Sequence, residues 1–349
     1  MWRICFFIPD LSLGGAQKQC LALASAINRL TRHHVIFVTL RNSGQMAHWL
    51  QSYNLETASL EIDSGFDLRA VPRLRRILKA HEIDILVTWL HSADVIGFLA
   101  TRFTKITWVL NERDSKYEKK MRYILRLASG LFATLIVANS AEGVAYWRRL
   151  FFWKSFHRIN NIVNIEGTNS LNIKEIDLIY GGRFSNQKNV LLISDLLSQL
   201  VEVRPEIRIV LRGEGELYSE CQILLKNGIA NGNVDFNGYD SNFLELVKKS
   251  KALISLSHHE GFPNVVLESL SMGVVPILSR IPEHIAIVGQ DYPFFIDQNM
   301  DSDQSIEVIL EAISSNDISI LNYSTAFLNR CSELSVTNQF LEIIEKEGI

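Results

Sequence analysis

The chain has 349 residues, 47% hydrophobic and 21% charged, which suits two globular domains and excludes a disordered polypeptide. Its net charge of −3 hides a division: residues 1–165 hold 22 Lys+Arg against 12 Asp+Glu, and residues 166–349 hold 13 against 26. The basic half suits an anionic partner, nucleic acid or lipid, and the scattered Cys5, Cys20, Cys221 and Cys331 suit a reducing cytoplasm.

The opening "MWRICFFIPD" reads as a strand and not a signal peptide, because Pro9 and Asp10 cut its apolar run. In "FFIPDLSLGGAQKQCLALA", Gly14 and Gly15 stand between that strand and a helix. There the backbone can approach a ligand closely, or the glycines can serve the turn alone. "HHVIFVTL", "IDILVTWL" and "ITWVLN" are further strands. His91 falls just past the end of the second of these, either as a functional group or as a structural hydrogen bonder. Asp94, Asn111 and Arg113 are weaker cleft candidates. The apolar "LASGLFATLIVANSA" (127–141) is shorter than the roughly 20 residues of a membrane-spanning helix.

"AYWRRLFFWKSFHRI" (145–159) interleaves Tyr146, Trp147, Phe151, Phe152, Trp153 and Phe156 with Arg148, Arg149, Lys154 and Arg158. Upstream, Lys116, Lys119, Lys120, Arg122 and Arg126 add to the charge. Together they read as a peripheral contact with an anionic membrane surface; the competing reading buries the rings and leaves the cations solvated. No nucleic-acid-binding motif accompanies them.

The Asn-rich "NNIVNIEGTNSLN" (160–172) coincides with the charge switch and marks the boundary. The domains expected are 1–165, 166–330, and a C-terminal helix in 331–349 that packs back on the first. Beyond the boundary, "IDLIYGG", "IRIVLRG", "NVDFNG", "ALISLS" and "VVPILS" are strands. The helix "NVLLISDLLSQLVEV" places Val190, Leu191, Ile193, Leu196, Leu197, Leu200 and Val201 on one face. Apolar strands alternating with helices predict an α/β fold of two doubly wound, Rossmann-like domains facing a central cleft. Ligands of such sheets bind outside the carboxyl ends of the strands.

Three segments of the second half sit at such ends. "IYGGRFSNQKN" flanks a Gly-rich turn with Arg183 and Lys188, a planar fork and a mobile charge for phosphate. "RGEGELYSE" offers Gly213 and Gly215 without the third glycine of a dinucleotide fingerprint, so a nicotinamide cofactor is disfavoured. In "SHHEGFPNVVLESLSMGVVPILS", Glu260 lies in a loop, Pro263 is expected at the first helical position, and Glu268 lies inside the helix. The amides of Gly261, Phe262, Pro263's neighbour Asn264 and Val265 would form an anion site at that helix start. The alternative is an acid favouring the helix dipole plus a surface glutamate. Asp301 and Asp303 in "DSD" could bind a divalent metal, but they precede a helix and read as an N-cap pair.

"GGAQ", "GGRFSNQKN", "VLRGEGELY", "VDFNG" and "EGFPNVVLESLSMGVVPILS", in this order, resemble the retaining glycosyltransferases of family 4, which have the B-type fold. The resemblance spans nearly the whole chain and is strongest from Gly181 to Ser279. It implies a nucleotide-diphosphate-sugar donor in the C-terminal domain, a UDP-sugar by preference, and the acceptor mainly in the N-terminal one. Arg183 and Lys188 would hold the diphosphate, Glu268 the ribose hydroxyls and Glu260 the donor sugar, with amides of Gly261 and Phe262. Gly213 and Gly238 would border the base, and His91 would contact the sugar near its reacting carbon. It further implies front-face transfer without metal or other cofactor, and an oligosaccharide or lipid-linked acceptor of O-antigen or capsule synthesis on the cytoplasmic face of the inner membrane. "SRIPEH" departs from the pattern, since related enzymes commonly have a glycine-containing turn before Pro-Glu. The alternatives are a nucleotide-sugar epimerase of the same fold, or a non-catalytic partner subunit.

Overall fold

The computed structural model describes residues 1–12, 14–41, 44, 50, 53–64, 67–113, 121–164, 174–315 and 322–348, apart from the side chains of 121–123 and 322. The chain forms two compact units, Met1–Ile162 with Cys331–Ile349, and Val163–Arg330. The boundary read between 165 and 166 lies outside the described residues, as do Lys116, Lys119 and Lys120.

In the first unit the elements are β1 (Arg3–Ile8), α1 (Gly15–Leu30), β2 (His34–Thr39), β3 (Glu56–Ser59), α2 (Ala70–Ala80), β4 (Ile85–Trp89), α3 (His91–Thr101), β5 (Thr107–Glu112), α4 (Met121–Gly130), β6 (Leu135–Ala138), α5 (Ala141–Leu150) and β7 (Phe156–Arg158). Its seven strands run in the order β3-β2-β1-β4-β5-β6-β7, all parallel. Strands buried on both faces need apolar residues throughout, and β1 has them from Ile4 to Ile8. Ile4, Phe6 and Ile8 join one core; Cys5 and Phe7 join the other.

The second unit contains β8 (Ile176–Gly181), a 3-10 turn (Asn186–Lys188), α6 (Val190–Val203), β9 (Ile209–Arg212), α7 (Tyr218–Leu224), α8 (Lys226–Ala230), β10 (Val234–Asn237), α9 (Phe243–Lys248), β11 (Ser250–Ser255), α10 (Asn264–Ser271), β12 (Val275–Ser279), α11 (Pro282–Val288), β13 (Phe295–Ile296), α12 (Ser302–Ser314) and α13 (Asn322–Arg330). Its six strands are parallel in the order β10-β9-β8-β11-β12-β13. The apolar face of α6 is buried as read, except that Leu191 is exposed. The chain then returns to the first unit as α14 (Glu333–Lys346), whose Phe340 and Ile344 fill the core beside α1 and whose Phe340 ring lies 6.4 Å from Phe6.

Each sheet reverses its strand order once, between β1 and β4 and between β8 and β11. At such a switch point adjacent loops diverge to opposite faces and leave a crevice at the carboxyl edge.

The aromatic run 146–156, in α5 and beyond it to β7, divides in two. Trp147 is fully buried, and Tyr146, Phe151 and Phe156 pack against the core, so burial wins for four of the six rings. Phe152 and Trp153 stay exposed. Arg126 is no surface cation either, being 2% exposed within the interior.

Candidate functional site

At the carboxyl edge of the second sheet, β8 ends at Gly181 and the chain turns through Gly182–Ser185. The Tyr180 hydroxyl donates to the Arg183 carbonyl at 2.9 Å and fixes this turn. Burial, with the nearby charge of Glu260, pushes the Tyr180 phenol far above its ordinary pKa, so it remains a neutral donor. The Arg183 side chain is exposed and has no acidic partner among the described residues. Gly213, at the end of β9, has φ 148°, and a Cβ there would collide with the Gly182 carbonyl. Only glycine lets the two loops meet this closely. Its N–H reaches the carbonyls of Asn237 and Gly238, which joins the ends of β9 and β10. A Cβ at Gly238 would make only ordinary contact with the Glu214 side chain, so none is excluded there.

At this switch point the loop after β8 is nonetheless bonded to the loop after β11. Lys188 Nζ donates to Glu260 Oε1 at 2.6 Å, and the Ser257 hydroxyl donates to the same oxygen at 2.6 Å. Backbone and amide bonds lock the loops: the His258 N–H donates to the Gln187 carbonyl at 2.9 Å, and Gln187 Nε2 to the His259 carbonyl at 3.0 Å. Glu260 is 6% exposed and Lys188 21%. The two residues read separately from sequence, one for diphosphate and one for sugar, therefore form one charge-assisted pair. Behind it, Ser279 Oγ donates to the Ser257 carbonyl at 2.6 Å, and His284 Nδ1 lies 2.9 Å from the Ser279 carbonyl. Burial lowers the His284 pKa, opposed by the bond to Ser279 and the charge of Glu260.

Pro263 occupies the N-cap of α10, one residue earlier than read, and Asn264 is the first helical residue. Not all the expected amides are open. The Asn264 N–H donates to the Phe262 carbonyl at 2.9 Å, and the Phe262 ring is buried, 6.3 Å from Phe327. Val265 and Gly261 remain half-buried beside them, and Glu268 is half-buried on the next turn. Asp301 caps α12 in a capping box with Gln304, accepting its N–H at 2.9 Å, and Asp303 lies in the first turn.

In the first unit, Gly14 caps α1 in extended backbone, φ −178°, which any residue adopts. A Cβ there would meet only the end of the Gln17 side chain, so no backbone among the described residues packs against Gly14. Gly15 opens the helix and is exposed. His91 is the first residue of α3, at the carboxyl end of β4. Asp94 is no cleft residue: it is fully buried, accepting from Thr88 Oγ1 and Arg126 Nε at 2.6 Å each. Arg126 also forks onto Glu112 at 2.9 and 3.0 Å, and Trp147 Nε1 donates to Glu112 at 2.6 Å. Burial pushes the Asp94 carboxyl up to about 6, opposed by Arg126 and Thr88. Arg113 stacks over Trp89 at 4.5 Å and bonds Asn111 and Asn161; burial pulls it down to about 9. Sequence reading missed this network because the pairs that Arg126 and Glu112 make within it are 14 to 35 positions apart. A Trp and an Arg in otherwise amphipathic helices were its only trace.

Comparison with known proteins places the two units separately and then together. Residues 13–166 match the model of Glycosyltransferase Family 4, and residues 164–325 that of Glycosyl transferases group 1. A relative in Campylobacter jejuni, named GalNAc-alpha-(1->4)-GalNAc-alpha-(1->3)-diNAcBac-PP-undecaprenol alpha-1,4-N-acetyl-D-galactosaminyltransferase, is 26% identical over 80% of this chain and 79% of its own. An Escherichia coli UDP-Gal:alpha-D-GlcNAc-diphosphoundecaprenol alpha-1,3-galactosyltransferase is 20% identical over 88% and 89%. Among solved structures, Anabaena HepE, crystallised with UDP and glucose, superposes with a TM-score of 0.78 at 15% identity, covering 99% of this chain and 100% of that one.

Proposed function

For this chain, which belongs to the family 4 retaining glycosyltransferases of B-type fold, we propose transfer of a sugar from a UDP-sugar to a lipid-linked oligosaccharide in cell-surface polysaccharide synthesis. The observation that carries this is the Lys188–Glu260 pair at the switch point of the second sheet, beside the exposed Arg183. The relatives named above are transferases to diphosphoundecaprenol-linked sugars, and one is named for UDP-Gal, which favours this reading over an epimerase or a silent subunit.

In the proposed reaction the bond from the sugar's anomeric carbon to the diphosphate oxygen breaks as the acceptor hydroxyl bonds to the same face. The hydroxyl proton passes to the departing phosphate. Arg183 and Lys188 offset the charge gathering on the diphosphate, so the transition state is stabilised more than the ground state. Glu260 orients the sugar while holding Lys188 in place, and Glu268 takes the ribose hydroxyls. Gly213 and Gly238 flank the base, and Gly261, Pro263, Asn264 and Val265 shape the wall beside the phosphates. His91 is the first unit's contribution, and Gly14 and Gly15 belong to the acceptor side. No metal takes part in this reading, since two cations face the phosphates and Asp301 is committed to its helix cap. A melting-temperature panel of UDP, GDP, ADP, NAD and a duplex oligonucleotide tests it. UDP alone should raise the transition, because a ligand of the folded state stabilises by mass action. A rise with NAD or the duplex would overturn it, and loss of transfer in EDTA restored by manganese would overturn the metal-free part.

A second observation bears on where the enzyme works. No helix among the described residues is long and apolar enough to cross a membrane. The loops entering β5, β6 and β7 carry Phe103, Phe132, Phe152 and Trp153, which are 93%, 46%, 79% and 60% exposed. Contacts link them: the Arg102 guanidinium lies over both Phe103 and Phe132, and Lys154 Nζ donates to the Ala133 carbonyl at 2.5 Å. Residues 99–106, 130–134 and 148–155 include Arg102, Lys105, Arg148, Arg149 and Lys154 and no acid. Rings with unopposed cations suit the headgroup level of an anionic bilayer, so this rim supports a peripheral position on the cytoplasmic face of the inner membrane. Co-sedimentation with vesicles containing phosphatidylglycerol should fall when Phe152 and Trp153 are changed to Ser. Retention indifferent to that change and to lipid charge would remove the membrane from the reading.

A further inference from the structure

We infer that Leu90 is a positioning residue, whose strained backbone fixes the start of α3 and hence the place of His91. The inference rests on the reading of His91 as the first unit's contribution to transfer. Leu90 has φ 75° and ψ 162°. That combination is essentially a glycine region, because an L side chain there crowds its own backbone. It differs from ordinary left-handed turns such as Asn189, at φ 55° and ψ 38°. A chain that needed only to turn from β4 into α3 would be served better by glycine.

The strain persists because both sides of the turn are held independently. On the strand side, Trp89 is fully buried, paired in register with Asn111 and packed 6.2 Å from Phe6. On the helix side, the Asp94 N–H donates to the Leu90 carbonyl at 3.1 Å. Thr88 and Asp94, one on each side of Leu90, share the 2.6 Å bond described above, and Trp108 Nε1 donates to Thr88 Oγ1 at 2.9 Å. Arg126 ties Asp94 to the next helix. Gly97 lets α3 lie directly on β4, since a Cβ there would overlap the Thr88 methyl group. With its ends fixed, the peptide between Leu90 and His91 has one orientation available. Glycine in place of Leu90 would open others, and the first residue of α3 would lose its fixed place.

The chemistry asks for this. A group that acts on a sugar near its reacting carbon must be held to a fraction of an ångström, and small misplacements cost large factors in rate. The Thr88–Asp94–Arg126 network therefore holds the turn, and Leu90 converts that rigidity into a position for His91.

Replacement by two small residues separates positioning from packing. Leu90→Ala and Leu90→Gly both lose the half-buried side chain, but only glycine relieves the strain. Leu90→Gly should melt above Leu90→Ala by about 2–4 °C, the reverse of their order at an unstrained site. Yet Leu90→Gly should lower kcat for sugar transfer about tenfold or more and Leu90→Ala by about threefold at most, with the donor KM little changed in both. The more stable variant is thus the less active. In a His91→Ala background the extra loss caused by Leu90→Gly should vanish, since the two changes act through one group. Equal kcat in Leu90→Ala and Leu90→Gly, or additivity with His91→Ala, would overturn the inference while leaving His91's role intact. Full kcat in His91→Ala alone would instead overturn the reading on which it rests.

Discussion

Each unit places a carboxylate–cation cluster near the carboxyl ends of its strands, and the two clusters are built for opposite ends. In the first, Arg126, Asp94 and Glu112 have side chains no more than 3% exposed, and their partners are other interior groups. In the second, Lys188 and Glu260 pair at loop ends, with Lys188 21% exposed and Arg183 on the surface beside them. A dry, fully partnered cluster rigidifies the elements it joins but is costly to break. A pair open on one side can exchange part of its partnership for a ligand. The same residue types thus make a scaffold in one unit and a candidate binding edge in the other, and burial decides which.

Substitutions should separate the two. Arg126→Ala leaves two buried carboxylates facing each other and should destabilise the first unit by about 3–5 kcal/mol, read as lost melting temperature. Nucleotide binding by the second unit's residues should survive wherever the protein still folds. Next in size, Glu268→Gln should weaken UDP binding by about 1.5–3 kcal/mol with the fold intact, measured by titration calorimetry. Unchanged affinity would return Glu268 to the helix surface. Arg183→Ala and Lys188→Ala should each slow transfer at least about tenfold, about 1.4 kcal/mol at the transition state. Arg183→Ala should leave the melting temperature alone, because its side chain is exposed, whereas Lys188→Ala strands Glu260 and lowers it.

The smallest effect is a pH dependence of stability. The Asp94 carboxyl is raised in the folded state to about 6, so between its unfolded value and 6 the folded protein binds the extra proton. Stability from this group therefore increases as pH falls through 6, opposite to the usual salt-bridged carboxylate. From pH 7 to pH 5 the gain is about 1 kcal/mol. Denaturant titrations at the two pH values should show it in wild type and not in Asp94→Asn.

Much of the fold was legible because parallel strands buried on both faces write their apolar runs without interruption. All nine strands read from such runs are present, among them "IRIVLRG" as β9 and "NVDFNG" as β10. Those missed, β3, β6, β7 and β13, are edge or near-edge strands of four residues or fewer. The position of the second unit's candidate loops was legible too, since polar residues and glycines stand out beside apolar strands. What could not be read was which polar residues meet. Nothing in the spacing tells that Lys188 reaches Glu260, 72 positions away, or that Asp94 turns inward to Arg126. Nor does a leucine announce a strained turn. The aromatic run 146–156 misled for a related reason: its two rings on α5, Tyr146 and Trp147, pack inward, while the exposed Phe152 and Trp153 follow the helix, and nothing in the run marks where the helix stops.

Calorimetric titration of UDP into wild type and into Lys188→Ala tests most directly that the loop edge of the second sheet holds the donor's diphosphate. The account expects binding in wild type and at least about tenfold weaker binding without the lysine, since a charge-assisted contact to phosphate is lost. UDP bound equally well by both proteins would contradict it.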